Sequence, residues 1–151
     1  MESSAARTSD ILTVAGVSVT IEDVKGLGEI CRVPADQAPQ AISAAKQAGF
    51  DFMIDLHGID TGEGVEVVYH LRSLAAREEV IIKATLAYGG TLVSVWATYP
   101  AALTPERECA EMFGLFLDGH PNPKRLLTIE GGQPPLLKST RLRTVEEARN
   151  R

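Results

Sequence analysis

The sequence has few of the features that mark metal, membrane or nucleic-acid proteins. Its 151 residues include only two cysteines, Cys31 and Cys109, which lack the paired spacing of a zinc or iron–sulfur site. No apolar run approaches the roughly 20 residues that span a bilayer. Basic residues number 15 against 20 acidic ones, and the net charge of −5 argues against a nucleic-acid partner. We therefore expect a soluble chain in the reducing cytoplasm, with both thiols buried.

The strongest periodic signal is an alternation of apolar and polar residues, which predicts strands. Three runs carry it most clearly, and shorter strands are expected at residues 11–14, 17–21 and 29–33. In the first long run, Phe50, Phe52, Ile54 and Leu56 are expected to face the core together. The three long runs are Phe50–Leu56, Val65–Leu71 and Val80–Leu86.

Helical spacing is limited to a few stretches between and after these runs. Residues 34–49 predict a helix with Asp36 as its N-cap and Gly49 just beyond its end. A short helix is expected from Ser94 to Ala97, and another opens at Thr104 and ends at Gly114. Because strands outnumber helices and their connections are short, residues 1–117 predict an α+β domain. Its sheet is mostly antiparallel, with the helices on one face.

Residues 118–140 have no periodicity of either kind, yet they are too apolar for a free linker. Prolines and glycines prevent regular elements there, and ordering the backbone costs conformational entropy. We expect this extended segment to become ordered by lying along a second protein. Residues 141–151 predict a charged tail. The aliphatic side chains that require a partner are Leu126, Leu127, Ile129, Leu136 and Leu137.

A linear motif spans the last helix and the start of this segment. Residues 106–114 read Glu-Arg-Glu-Cys-Ala-Glu-Met-Phe-Gly, and residues 119–127 read Gly-His-Pro-Asn-Pro-Lys-Arg-Leu-Leu. This order and spacing resemble the signature of the 30 kDa subunit family (the C subunit) of NADH-quinone oxidoreductase, respiratory complex I. Weaker similarity extends upstream, so the resemblance covers residues 31–138.

The resemblance implies a non-catalytic structural subunit on the peripheral arm of a membrane-bound redox complex, at the cytoplasmic side of the membrane. Its partners would be the subunit derived from a hydrogenase large subunit and the small iron–sulfur subunit, with only indirect contact to the membrane. The family binds no cofactor, metal or substrate through this chain. Related subunits serve energy-converting membrane-bound [NiFe] hydrogenases, and this alternative stays open.

Seven residues of the motif are candidates for the subunit interface. Arg107 is expected to pair with a partner carboxylate, and the neighbouring glutamates to receive basic residues of the partner. His120 has two interpretations, an interface contact or a local hydrogen bond to the helix that carries Arg107. The candidate interface consists of Glu106, Arg107, Glu108, Glu111, His120, Lys124 and Arg125.

Two other classes of function remain as alternatives. Asp55, His57 and Asp60 lie close in sequence and could form an acid–base or metal site of a free-standing enzyme. A solvated strand edge explains them better, because the spacing implies no further ligand. A chaperone-like binding module unrelated to electron transfer is the other alternative.

Overall fold

The computed structural model describes residues 8–25, 28–141 and 149. Residues 1–7 and most of the predicted charged tail lie outside the described part of the chain. The domain boundaries predicted at 117 and 140 stay predictions.

The predicted α+β class is confirmed by a five-stranded sheet. Its strand order is β1-β2-β5-β4-β3, and every neighbouring pair is antiparallel except β2 with β5. The strands are β1 Thr20–Val24, β2 Gly28–Val33, β3 Phe52–Asp60, β4 Val65–Ser73 and β5 Glu78–Leu86.

Helix α2 (Ala38–Gln47) covers one face of this sheet. It follows a single 3-10 turn, and its inward side consists of four small alanines and Ile42. Small side chains allow the helix axis to approach the strands, where Tyr69 and Ile82 are almost wholly buried. Cys31 and Cys109 are both free and buried, as predicted. Desolvation raises the pKa of Cys31 to about 11 and that of Cys109 to about 12, so both remain protonated thiols.

The prediction that Phe52 and Ile54 face the core is wrong. A bulge interrupts the pairing of β3 with β4 between Met53 and Asp55. The extra residue reverses the alternation, so Met53 and Leu56 are buried whereas Phe52 is half exposed. The open edge of the sheet therefore carries apolar side chains that the simple alternation had placed inside.

Two predicted elements near the ends of the domain are also wrong. Residues Thr8–Val14 form helix α1, which packs on α2, although their β-branched side chains favour a strand. The predicted helix at Ser94–Ala97 is a turn that follows the short strand β6 (Thr91–Val93). Strand β6 pairs in parallel with β7 (Phe116–Asp118), which sequence reasoning did not find. These short elements are stabilised by tertiary contacts, which local sequence preference does not reveal.

Helix α3 (Leu103–Phe113) carries the motif and packs on β3. Gly58 permits this contact, because a Cβ there would lie 2.6 Å from ring carbons of Phe113. The ends of the helices were predicted better than their beginnings. Gly49 has positive φ, as predicted, and Gly114 ends α3, also with positive φ. Asp36 caps no helix, and α3 begins at Leu103 rather than at Thr104. The close packing of α3 on β3 sets the position of the motif residues on α3.

Candidate subunit interface

Glu106 is the most enclosed residue of the predicted interface. Its side chain is 0% exposed and accepts hydrogen bonds from the Ser94 hydroxyl and from the Val95 N–H, the latter at 2.6 Å. Burial raises the pKa of the Glu106 carboxyl, and these hydrogen bonds oppose the rise. The expectation that Glu106 receives a basic residue of a partner is therefore wrong. Glu106 instead joins α3 to the loop that follows β6.

His120 is likewise turned inward. Its Nε2 donates to the carbonyl of Leu103 at 2.8 Å, and its Nδ1 accepts from the N–H of Asn122 at 2.9 Å. Both ring nitrogens of His120 therefore make hydrogen bonds within the protein. Of the two interpretations, the local hydrogen bond to α3 is the one observed. His120 thus directs the chain into the C-terminal segment (residues 118–140).

Arg107 pairs with no carboxylate among the residues that the structure describes. Its Nε donates to the carbonyl of Lys124 at 2.8 Å and its Nη2 to that of Arg125 at 3.0 Å. The planar guanidinium thereby clamps two successive peptide groups. Arg125 turns back to Thr128 and the carbonyl of Ile129, whereas Lys124 is exposed and its ammonium makes no hydrogen bond or ion pair with any described residue.

Glu111 binds the next part of the segment. Its carboxylate accepts hydrogen bonds from the N–H groups of Leu126, Leu127 and Thr128. Three successive donors on one carboxylate form an anion-binding nest. Despite some desolvation, these hydrogen bonds lower the pKa of Glu111 to about 2. The negative charge of Glu111 therefore holds the segment against α3 at neutral pH.

The rest of the segment continues across the end of α3 to the edge of the sheet. Pro134 lies against Gly114, and the N–H of Leu136 donates to the carbonyl of Met112 at 3.0 Å. The N–H of Lys138 reaches the carboxylate of Asp60 at 2.7 Å. The expectation that only a second polypeptide orders this segment is therefore wrong for its backbone.

The aliphatic side chains of the segment largely remain in solvent. Leu127 is 65% exposed, Ile129 is 82% exposed and Leu136 is 55% exposed, while Leu137 packs on the core. Phe116 of β7 is 69% exposed and lines a groove of about 430 Å³ between α3 and the segment, together with Arg107, Lys124 and Arg125. The backbone is thus fixed by its own domain, and the apolar surface is left for another molecule.

The three residues of the enzyme alternative do not come together as one site. Asp55 and His57 are exposed and joined by a 2.7 Å hydrogen bond on β3. Asp60 is buried instead and accepts from Gly62, Lys138 and the hydroxyl of Tyr88, which lowers its pKa, Tyr88 contributing most. In the described part of the chain, no three His, Cys, Asp or Glu side chains are grouped to hold a metal ion. The same residues include no helix long and apolar enough to span a membrane.

Sequence reasoning missed Asp60 and Tyr88 as anchors of the segment. The hydrogen bond between them is 2.5 Å long, and Asp60 also binds a backbone amide 78 residues further along the chain. The signal available in the sequence was weak, an acidic residue just before the glycines of a turn, where an Asp side chain commonly caps the backbone.

The fold and the interface together define an α+β domain that docks an extended C-terminal segment along its last helix. A family model described as the 30 Kd subunit of respiratory-chain NADH dehydrogenase matches residues 31–146, and the chain belongs to this family. The C subunit of the NADH-quinone oxidoreductase of Moorella thermoacetica is 38% identical over 118 residues, covering 74% of this chain and 79% of that protein. The J subunit of a Synechococcus NAD(P)H-quinone oxidoreductase is 36% identical, covering 65% of this chain and 61% of that protein.

Other relatives are longer, and the chain spans 41% of the corresponding protein from Phenylobacterium zucineum and 43% of that from Caulobacter vibrioides. Two solved structures share the fold. A trypsin-resistant fragment of Nqo5 has a TM-score of 0.66 at 27% identity, covering 77% of this chain and 98% of the fragment. A chain of the archaeal membrane-bound sulfane sulfur reductase has a TM-score of 0.63, also at 27% identity, covering 74% of this chain and 68% of that one.

Proposed function

We propose that this chain is a non-catalytic structural subunit of the peripheral arm of a membrane-bound NADH-quinone oxidoreductase, at the cytoplasmic side of the membrane. It braces the subunit related to hydrogenase large subunits and the small iron–sulfur subunit. In this role the chain binds no cofactor. The iron–sulfur clusters and the flavin belong to other subunits, and contact with the membrane is indirect.

The observation that carries this proposal is that the backbone of the C-terminal segment is bound to its own domain whereas its large aliphatic side chains are exposed. The hydrogen-bonding groups of the backbone are directed to α3 and to Asp60, while Leu127 and Ile129 point away from the domain. An isolated protein gains nothing by holding large aliphatic side chains in water on an ordered backbone. A partner that buries them gains their transfer free energy without ordering the segment first.

The positive charge of Lys124 also supports this surface as the one that binds a partner. Lys124 stands beside the groove between α3 and the segment with its ammonium exposed, where it can meet a carboxylate of the partner. Glu111 lines the same groove, but its carboxylate accepts three backbone amides and forms no ion pair with Lys124. A partner surface with aliphatic pockets flanked by acidic residues is therefore complementary to this one.

The test is co-purification from native membranes through a tag on this chain. In the double variant Leu127→Glu and Ile129→Glu, two largely exposed aliphatics are lost from the interface. Burying them is worth about 3 kcal/mol, so the variant should recover roughly a hundredfold less of the iron–sulfur and large subunits. Val14→Glu is the matched control, since Val14 is 89% exposed on α1, away from the segment.

Equal recovery of both redox subunits with the double variant and the control would show that the segment is not the interface. Circular dichroism of the isolated variants checks that the domain still folds. Catalytic activity of the purified chain alone would favour the enzyme alternative instead.

A second candidate is the equivalent subunit of an energy-converting membrane-bound [NiFe] hydrogenase. The similarity to a chain of the archaeal membrane-bound sulfane sulfur reductase supports a role of this fold in membrane redox complexes other than NADH dehydrogenases. Mass spectrometry of the co-purified subunits separates the two. A flavin- and NAD-binding subunit identifies the dehydrogenase, and a nickel-containing large subunit identifies the hydrogenase.

A further inference from the structure

A second groove lies on the opposite side of α3 from the one that carries Lys124. It has a volume of about 330 Å³ and runs between β3 and α3, with Leu136 of the C-terminal segment as one wall. Its apolar surface comes from Met112, Phe113 and Leu136. The partner contacts proposed for Leu127, Ile129 and Lys124 do not involve this groove.

The rim of this groove is acidic. Asp55 and Glu108 both line it, both are exposed, and no lysine or arginine is among the lining residues. Within the described residues, Asp55 is bonded only to His57 and to the N–H of Leu56, and the Glu108 carboxylate has no hydrogen-bond partner. Two carboxylates beside an apolar wall repel phosphates and other anions and attract a cation.

We infer that this groove receives a long basic side chain, Lys or Arg, from another subunit of the complex. The aliphatic stem of such a side chain packs on Met112, Phe113 and Leu136, and its charged end lies between Asp55 and Glu108. The volume lies at the lower limit of the about 300–1,000 Å³ of small-molecule sites, which suits one side chain. The two carboxylates disfavour a phosphate-bearing cofactor.

This inference rests on the proposed function, because the groove and the exposed aliphatics share the C-terminal segment. Leu136 forms a wall of the groove and is 55% exposed. A partner lying along the segment therefore reaches the groove without a gap. The two sides of α3 then carry charges of opposite sign, because Lys124 is exposed on one side and Glu108 on the other. The partner can therefore bind in one orientation only.

The first experiment reverses one charge in the groove and measures recovery of partner subunits with the tagged full chain from native membranes. Glu108→Lys should lower recovery about tenfold, because an exposed ion pair is replaced by repulsion between like charges. Glu78→Lys is the matched control, an exposed glutamate at the start of β5 outside the groove. It should recover as much as the unchanged chain.

The second experiment identifies the occupant. A photo-crosslinking amino acid at position 57 is activated in intact cells, and the joined peptide is sequenced by mass spectrometry. A peptide of another subunit with Lys or Arg next to the joined residue supports the inference. An adduct within this chain, a partner peptide without a basic residue, or equal recovery of the Glu108→Lys and Glu78→Lys variants overturns it. Failure of the proposed function is distinct, because then even the unchanged chain recovers no redox subunit.

Discussion

Replacing Glu111 by Gln removes the charge that holds the C-terminal segment against α3. The carboxylate accepts three successive backbone N–H groups, from Leu126 to Thr128. A carboxamide presents only one accepting oxygen, and its own N–H₂ group opposes the donors. We expect the fold to survive and the segment to detach more often.

The size of the effect follows from the pKa of Glu111, which is lowered from 4.5 to about 2. Such a shift corresponds to roughly 3 kcal/mol, and solvent screening at this partly exposed site reduces it to about 1–2 kcal/mol. Because the pKa of the folded state is depressed, the stabilisation is fully present above pH 4.5 and is lost as the pH falls toward 2.

Amide hydrogen exchange, followed by mass spectrometry, measures this directly. At about pH 6.5 the Glu111→Gln variant should lose protection at residues 126–128 by about 5- to 30-fold, matching about 1–2 kcal/mol. Below about pH 2 the two proteins should converge, because Glu111 becomes protonated there and a protonated carboxyl resembles a carboxamide. Glu108→Gln, on the same helix but without a backbone partner, is the control. Unchanged protection in the Glu111 variant, or an equal loss in the control, would refute the reasoning.

Two further variants test other contacts that position the segment. Gly58→Ala places a Cβ 2.6 Å from Phe113 and should lower the free energy of unfolding by about 1–3 kcal/mol in urea titrations, whereas Gly132→Ala, with 3.4 Å to its nearest neighbour, should change little. Arg107→Ala releases the carbonyls of Lys124 and Arg125, so trypsin should cut after them about tenfold faster while its cleavage after Lys25 stays constant. Stability of Gly58→Ala equal to that of Gly132→Ala, or an unchanged rate at Lys124, would contradict the respective contact.

Local sequence patterns were sufficient to predict the helix and strands whose buried residues recur at regular spacing. The alanine periodicity of residues 38–47 and the alternation in β4 and β5 produce the observed helix and strands. The patterns failed at the bulge near Met53, where one extra residue shifts the alternation by one position. They also failed at Thr8–Val14, where packing on α2 outweighs the preference of β-branched residues for strands.

For the candidate interface, too, the sequence predicted the element but not the burial of its side chains. The helix predicted from Thr104 to Gly114 corresponds closely to α3, yet the motif could not tell which of its charged residues point outward. Glu106 is enclosed because the loop after β6 folds over it, and Glu108, two positions later on the same helix, is exposed. Whether Lys124 contacts a partner carboxylate stays a prediction.

Composition, periodicity and one linear motif were sufficient for the α+β class, the principal strands and the family of this chain. These properties depend on residues that are near one another in the sequence or that repeat along it. The roles of Glu106, Glu111 and Asp60 were decided only by the tertiary structure, since each carboxylate binds groups 11 to 78 positions away. Burial and hydrogen bonding depend on which distant segments meet, and no local pattern records that.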